Sequence, residues 1–135
     1  MQHLIYLHGF LSAPASTKAQ QTAEFLSAQP NWQYHCPALS SYPAQAFTQI
    51  EHLLASLQGQ PIALIGSSLG GFWAQYWAMR LDLPAVLINP AVHPGQLLAR
   101  YIGQRLQNYY SAHSYELTEQ DAAFLNQCDT QPLEH

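Results

Sequence analysis

Four short strand-like segments, three of them apolar runs, alternate with stretches of helical periodicity and constrain this chain more than any other feature. The four are Leu4 to Leu7, Trp32 to Cys36, Pro61 to Gly66 and Pro84 to Asn89. The third and fourth are apolar on both faces, the pattern of strands in a parallel sheet with helices on either side. Between them lie three segments with a helical signature. In Ser16 to Gln29 the apolar positions Ala19, Ala23, Phe25 and Leu26 recur at roughly helical spacing, and Pro30 closes the segment. After a Pro- and Ser-rich loop from Pro37 to Pro43, the residues Ala46, Phe47, Ile50, Leu53, Leu54 and Leu57 fall on one stripe that stops before Gly59. Leu69 to Leu81 carries only Gln75 as a strongly polar position before Arg80, so it is expected to be buried on most sides.

Each parallel return needs a connection long enough to hold a helix, and such crossovers are right-handed. The alternation therefore predicts an α/β chain, a three-layer α/β/α fold with a mainly parallel sheet of about four strands. Beyond Pro94 the pattern weakens. Leu97, Leu98, Tyr101 and Ile102 suggest one more helix, and Thr118 with Asp121 opens another by a capping-box-like pattern.

A chain of 135 residues suits one domain with a single core, and residues 1–135 are read as one unit. Charged residues make up only 9%, against about 25% in an average soluble domain; sixteen glutamines supply much of the polarity instead. The four cations, Lys18, Arg80, Arg100 and Arg105, form no patch able to neutralise a run of phosphates, which argues against nucleic acid as a partner. The first residues lack a positively charged leader, and no segment approaches the roughly 18 apolar residues of a membrane span. Cys36 and Cys128 stand far apart without metal-type spacing, which points to buried thiols in a reducing, cytoplasmic setting. No metal or cofactor is implied.

Gly66-Ser67-Ser68-Leu69-Gly70 matches G-x-S-x-G and sits between a predicted strand and a predicted helix. A nucleophilic serine needs a sharp turn there, and small residues on both sides let strand and helix approach. The helix begins after Ser68, so its free amides face the place where negative charge would develop, and the Leu69 amide is the first candidate oxyanion donor. The bland alternatives are a tight connector or a phosphate cradle; a Walker loop is excluded because no Gly-Lys-Ser/Thr follows. His8-Gly9-Phe10, at the end of the first run, is either a plain glycine turn with Phe10 packed over it or the source of a second oxyanion donor, the Phe10 amide. Cys36 lacks the electropositive setting that activates a thiol. Trp73 with Trp77, and Tyr109 with Tyr110, are read as packing residues, with a share in an acyl pocket as the lesser alternative.

Tyr6-Leu7-His8-Gly9-Phe10, the Gly66 to Gly71 segment and Asn89-Pro90-Ala91-Val92 with Pro94 together resemble the YqiA-type small bacterial esterases, a branch of the α/β-hydrolases. The similarity runs from Leu4 to the end of the chain. The first two motifs are widespread among α/β-hydrolases; the doubled Ser and Gly and the Asn-Pro-Ala-Val stretch are more specific. The resemblance implies a truncated α/β-hydrolase fold and hydrolysis of short acyl esters by Ser68. The chain departs from the pattern at His93, where Arg is more typical, and at Leu11, where a polar residue is common; both positions bear on substrate preference.

A serine nucleophile needs a base and an acid to orient it, in the chain order Ser, Asp or Glu, His. In the resembled family these follow two further strands, and the chain is expected to stop short of them and to be inactive as it stands. Of His93, His113 and His135 downstream of Ser68, His93 is the best stand-in because it follows a strand at the correct sheet end. The simpler reading makes it a partly exposed loop histidine or a substrate-side contact, since none of Asp82, Glu116, Glu119, Asp121, Asp129 and Glu134 follows it on a strand end. His113 and Asp121 are expected in or beside surface helices, and Asp82 at a solvated helix end. Leu133-Glu134-His135 is either native sequence or the start of an affinity tail.

Two functions compete. One is a serine esterase acting on a small acyl ester or thioester, with acyltransferase and peroxidase variants of the same site left open. The other is a non-catalytic binding or interaction module on the same scaffold. An exposed sheet edge beside the fourth strand is also expected, and with it a possible homodimer through that edge.

Overall fold

The computed structural model of the chain describes residues 1–129. Its elements run β1 (Gln2–Leu7), α1 (Thr17–Ser27), β2 (Trp32–His35), α2 (Pro43–Ser56), β3 (Ile62–Ser67), α3 (Leu69–Leu81), β4 (Ala85–Ile88), α4 (Pro94–Ala99), β5 (Arg105–Gln107), β6 (Ser114–Glu116) and α5 (Glu119–Cys128). The first four strands form one sheet in the order β2-β1-β3-β4, every pair parallel, as the apolar alternation predicts.

That order fixes the layers. From β1 the chain steps outward to β2, then returns past β1 to β3 and on to β4. Right-handed crossovers then put α1 on one face of the sheet and α2 with α3 on the other, a three-layer α/β/α arrangement. The loops leaving β1 and β3, adjacent strands, head for opposite faces, and such a switch point opens a crevice at the carboxyl ends of the strands.

The core lies between the sheet and the α2–α3 layer. Ile5 and Leu7 of β1, Leu64 of β3, Ile50 of α2 and Trp73 of α3 are all essentially inaccessible. Phe47 lies edge-on to Trp73 and close to Trp77, with ring centroids 6.0 and 5.1 Å away. Packing is thus the role of both tryptophans. Burial of side chains of this size contributes about 1.5–3 kcal/mol each.

Helix ends follow local chemistry. Pro43, expected in the preceding loop, is the first residue of α2, where its missing N–H goes unused and its fixed φ suits the helix. Thr118 and Asp121 do form a capping box on α5, the Thr118 amide donating to Asp121 Oδ2 at 2.8 Å. Asp82 ends α3 in the left-handed region, exposed as expected.

Beyond Pro94 one expectation holds in part, one fails, and a hairpin forms that the weak pattern did not predict. The helix there covers only Pro94–Ala99, and Tyr101 and Ile102 lie in turns. Two short strands then form an antiparallel hairpin outside the main sheet, Leu106 opposite Tyr115. His113 stands in the connection of that hairpin, next to β6 and not in or beside a helix. The hairpin folds back over the β1 loop: Asn108 Nδ2 donates to the Ser12 carbonyl at 2.7 Å, and the Tyr109 amide to the Leu11 carbonyl at 2.9 Å. At the far side of the sheet, β4 is an edge strand with Val86 58% exposed. The readings made for residues 130–135, His135 and Glu134 included, fall outside the described residues.

Candidate functional site

Ser68 is the single residue between β3 and α3, at φ 57° and ψ −120°. A non-glycine side chain is rarely found there, and the conformation costs about 1–3 kcal/mol unless its surroundings enforce it. They do. The Ser68 amide donates to the Ile88 carbonyl at 3.0 Å, and its carbonyl accepts from Gly71 at 3.0 Å, Phe72 at 3.3 Å and Ala91 at 2.9 Å. The end of β4 and the Asn89-Pro90-Ala91 stretch therefore clamp the turn from one side and the first turn of α3 from the other.

The glycines around Ser68 are required by contact. A β-carbon on Gly66 would overlap the Gly70 carbonyl, and one on Gly70 would overlap the Leu7 carbonyl. Both obstacles are backbone, so strand, helix and β1 are pressed together at this point. Ser68 itself is exposed, and its hydroxyl has no hydrogen-bond partner among the described residues. The expected geometry of a tight bend between a core strand and a buried helix is present.

The β1 loop lies directly beside it. A β-carbon on Gly9 would stand 3.2 Å from Ser68 Cβ and 3.7 Å from Ser68 Oγ. Among the described residues the amides of Phe10 and Leu69 reach no backbone acceptor. Phe10 is half-buried and lies 6.4 Å from the Tyr101 ring, so the packed side chain and the free amide coexist.

His8 holds this loop in place. Its Nε2 accepts from the Leu39 amide at 2.8 Å, which leaves the proton on Nδ1 to be donated to the Gly9 carbonyl at 2.9 Å. Burial, opposed in part by that bond to Gly9, lowers the His8 pKa from 6.5. Both nitrogens are engaged, so His8 is a neutral structural post. Leu11, at φ 59°, is pinned by its amide on Ser41 Oγ at 3.0 Å. Leu11, Ser68, Asn89 and His93 all have positive φ, and all lie in loops beyond the carboxyl ends of β1, β3 and β4. Such clustering of strained residues is a feature of functional sites.

Ser68, Gly9 and Phe10 line a cavity of about 470 Å³ with Lys18, Tyr109 and Tyr110. The two tyrosines arrive on the hairpin connection, so this pair lines a cavity, in line with the lesser alternative for them. Nothing in their spacing signals this, because the hairpin reaches the site through long-range bonds.

His93 pairs with an acid after all: its Nδ1 is 2.8 Å from Asp129 Oδ2, at the end of α5. The pair lines a separate cavity of about 240 Å³ with Tyr76, Arg80 and Cys128. Among the described residues no histidine is hydrogen-bonded to Ser68. Cys128 there is a thiol pushed up to about 11 by burial, which the nearby Arg80 only partly offsets. Burial raises Cys36 as well, and neither thiol is a nucleophile at neutral pH. No group of three metal-ligating side chains occurs among the described residues, and no described helix is long and apolar enough to cross a membrane.

The interlocked turn, the adjacent β1 loop and the Asn-Pro-Ala brace lie within a stretch that a single family model spans, from residue 3 to residue 135. The chain belongs to Uncharacterised protein family (UPF0227), the family that includes the YqiA-type esterases.

Proposed function

We propose that the protein is a serine hydrolase acting on short acyl esters or thioesters, with Ser68 as nucleophile and the Phe10 and Leu69 amides as oxyanion donors. The observation that carries this reading is the exposed, unpartnered Ser68 hydroxyl on a backbone clamped at φ 57°. Ser68 Oγ attacks the ester carbonyl, its proton passes to a general-base histidine, which in the resembled family follows two further strands and returns it to the leaving group, and the two amides hold the oxyanion. Collapse breaks the bond to the alcohol or thiol, which departs with a proton. Water then splits the acyl-enzyme and restores the hydroxyl.

Fluorophosphonate labelling of the full-length protein, with its complete triad, located by tandem mass spectrometry, tests the reading. A single adduct at Ser68 supports it. No adduct, with the fold intact by circular dichroism, overturns it and favours a non-catalytic binding module. That second reading draws on one observation, the lack of a histidine bonded to Ser68 among the described residues.

We also propose that the uncovered edge of β4 pairs with a second copy, since an exposed edge strand presents unpaired N–H and C=O groups. A monomer by sedimentation at all accessible concentrations overturns that pairing. The two unbridged cysteines support a reducing, cytoplasmic location.

A further inference from the structure

We propose that the Ser68 cavity selects esters carrying a negatively charged group, carboxylate or phosphate, and that Lys18 binds that group. This rests on the reading of Ser68 as nucleophile and names the class of substrate it would serve.

Charge is scarce in this chain, which makes its placement informative. There are eight acids and four Lys and Arg in all. The cavity that exposes Ser68 is lined by Lys18 and by no acid. Lys18 has no ion-pair partner among the described residues, where the one pair is His93 with Asp129. The other three cations are placed elsewhere: Arg80 stacks on Tyr76 at 3.5 Å, and Arg100 and Arg105 lie at the end of α4 and in β5. Hydroxyls complete the lining. Ser12, Ser16 and Thr17 border the same cavity, and their side chains make no hydrogen bond among the described residues, Ser16 included although it caps α1.

A cavity bordered by a lysine without an ion-pair partner among the described residues and by free hydroxyls, with no carboxylate in its lining, is suited to an anion and poorly suited to a neutral alkyl chain. The protein's net charge of −4 repels anions in general, so a local cation matters more for bringing one to this cavity. Lys18 thereby becomes a specificity residue, one that touches the substrate remote from the carbonyl.

Equilibrium binding to the full chain tests this, with methyl butyrate as the neutral ester, monomethyl succinate as its carboxylate counterpart and inorganic phosphate as competitor. The anionic ester is expected to bind about tenfold tighter than the neutral one, the size of one charge-assisted hydrogen bond. High salt should shrink that ratio. Lys18→Gln should bring it close to one, while Arg100→Gln keeps the wild-type ratio. Competition by phosphate extends the site to phosphate-bearing esters, and lack of competition confines it to carboxylates. A wild-type ratio near one, or a ratio that Lys18→Gln leaves unchanged in a protein of normal thermal stability, overturns the proposal. An adduct at Ser68 with a flat ratio sinks this inference alone, whereas no adduct sinks the nucleophile reading itself.

Discussion

Gly9 and Ser68 approach so closely that a β-carbon on Gly9 would sit 3.2 Å from the Ser68 β-carbon. The loop after β1 and the turn after β3 are therefore one surface, although 59 positions separate them in sequence, the difference between 68 and 9. A branched side chain at Gly9 has to push the loop, and with it the Phe10 amide, away from the Ser68 hydroxyl. Gly9→Val is expected to slow fluorophosphonate labelling of Ser68 by at least about tenfold, because small misplacements of reacting groups are expensive in rate. Unfolding in urea checks that the variant keeps its fold. A labelling rate equal to wild type removes Phe10 from the proposed chemistry.

The strain at Ser68 gives a prediction about stability that does not depend on activity. At φ 57° and ψ −120° a side chain costs about 1–3 kcal/mol, and glycine escapes that penalty while losing about 0.5–1 kcal/mol through its freer unfolded chain. Ser68→Gly is expected to raise the unfolding free energy by about 1 kcal/mol. Ser68→Ala keeps the β-carbon and should gain nothing, while both variants lose the label. Equal urea midpoints for Ser68→Gly and Ser68→Ala would show that the turn is unstrained.

Sequence reading reached the central part of this molecule because the signals there are local. An apolar run ending in Gly66, followed by Gly70 and Gly71, marks a strand-to-helix turn within a dozen residues. The capping box of α5 is likewise contained in Thr118 to Asp121. The hairpin escaped because Arg105-Leu106-Gln107 and Ser114-Tyr115-Glu116 each hold one apolar residue between polar ones, too short for a period of two to register. What holds the hairpin is tertiary: Tyr115 edge-on to Tyr42 at 4.9 Å, and Asn108 on the Ser12 carbonyl. The role of His8 was hidden for the same reason, since the amide it accepts from, Leu39, lies 31 residues away. Lys18 reads as an ordinary helix-surface residue until the β1 loop and α1 are seen to share a cavity with Ser68.

Two histidines, the buried His8 and the half-buried His35, set a pH dependence. His8 is lowered from 6.5 mainly by burial, and His35 is lowered by burial and by the neighbouring His3. Each binds its proton more readily in the unfolded chain than in the folded one. Their contribution to stability is thus complete above about pH 6.5 and is lost as pH falls through the folded-state values. Urea midpoints should decline from about pH 7 to about pH 5. His8→Gln, which does not titrate, should flatten part of that decline. A wild-type profile that stays level or rises toward acid contradicts the buried, neutral state of His8.

The pairing of His93 with Asp129 looks like the base and acid of a catalytic triad, but its surroundings argue otherwise. The two side chains are 63% and 26% exposed, and an exposed pair of this kind contributes about 0–1 kcal/mol. The Ala91 amide binds the Ser68 carbonyl at 2.9 Å, so the loop carrying His93 begins beside the turn. His93 nevertheless lines the cavity of Arg80 and Cys128, which Ser68 does not share. Its tie to Asp129 joins the residue capping α4 to the end of α5, a structural tether between two helices that already pack together. His93→Ala is therefore expected to lower stability by no more than about 1 kcal/mol and to leave the rate of fluorophosphonate labelling at Ser68 unchanged. Were His93 the base, its loss would slow that rate by about 100-fold or more. A time course of labelling on wild type and His93→Ala decides between tether and base, with Asp129→Asn as the companion: a base oriented by Asp129 slows in both variants, and a tether in neither.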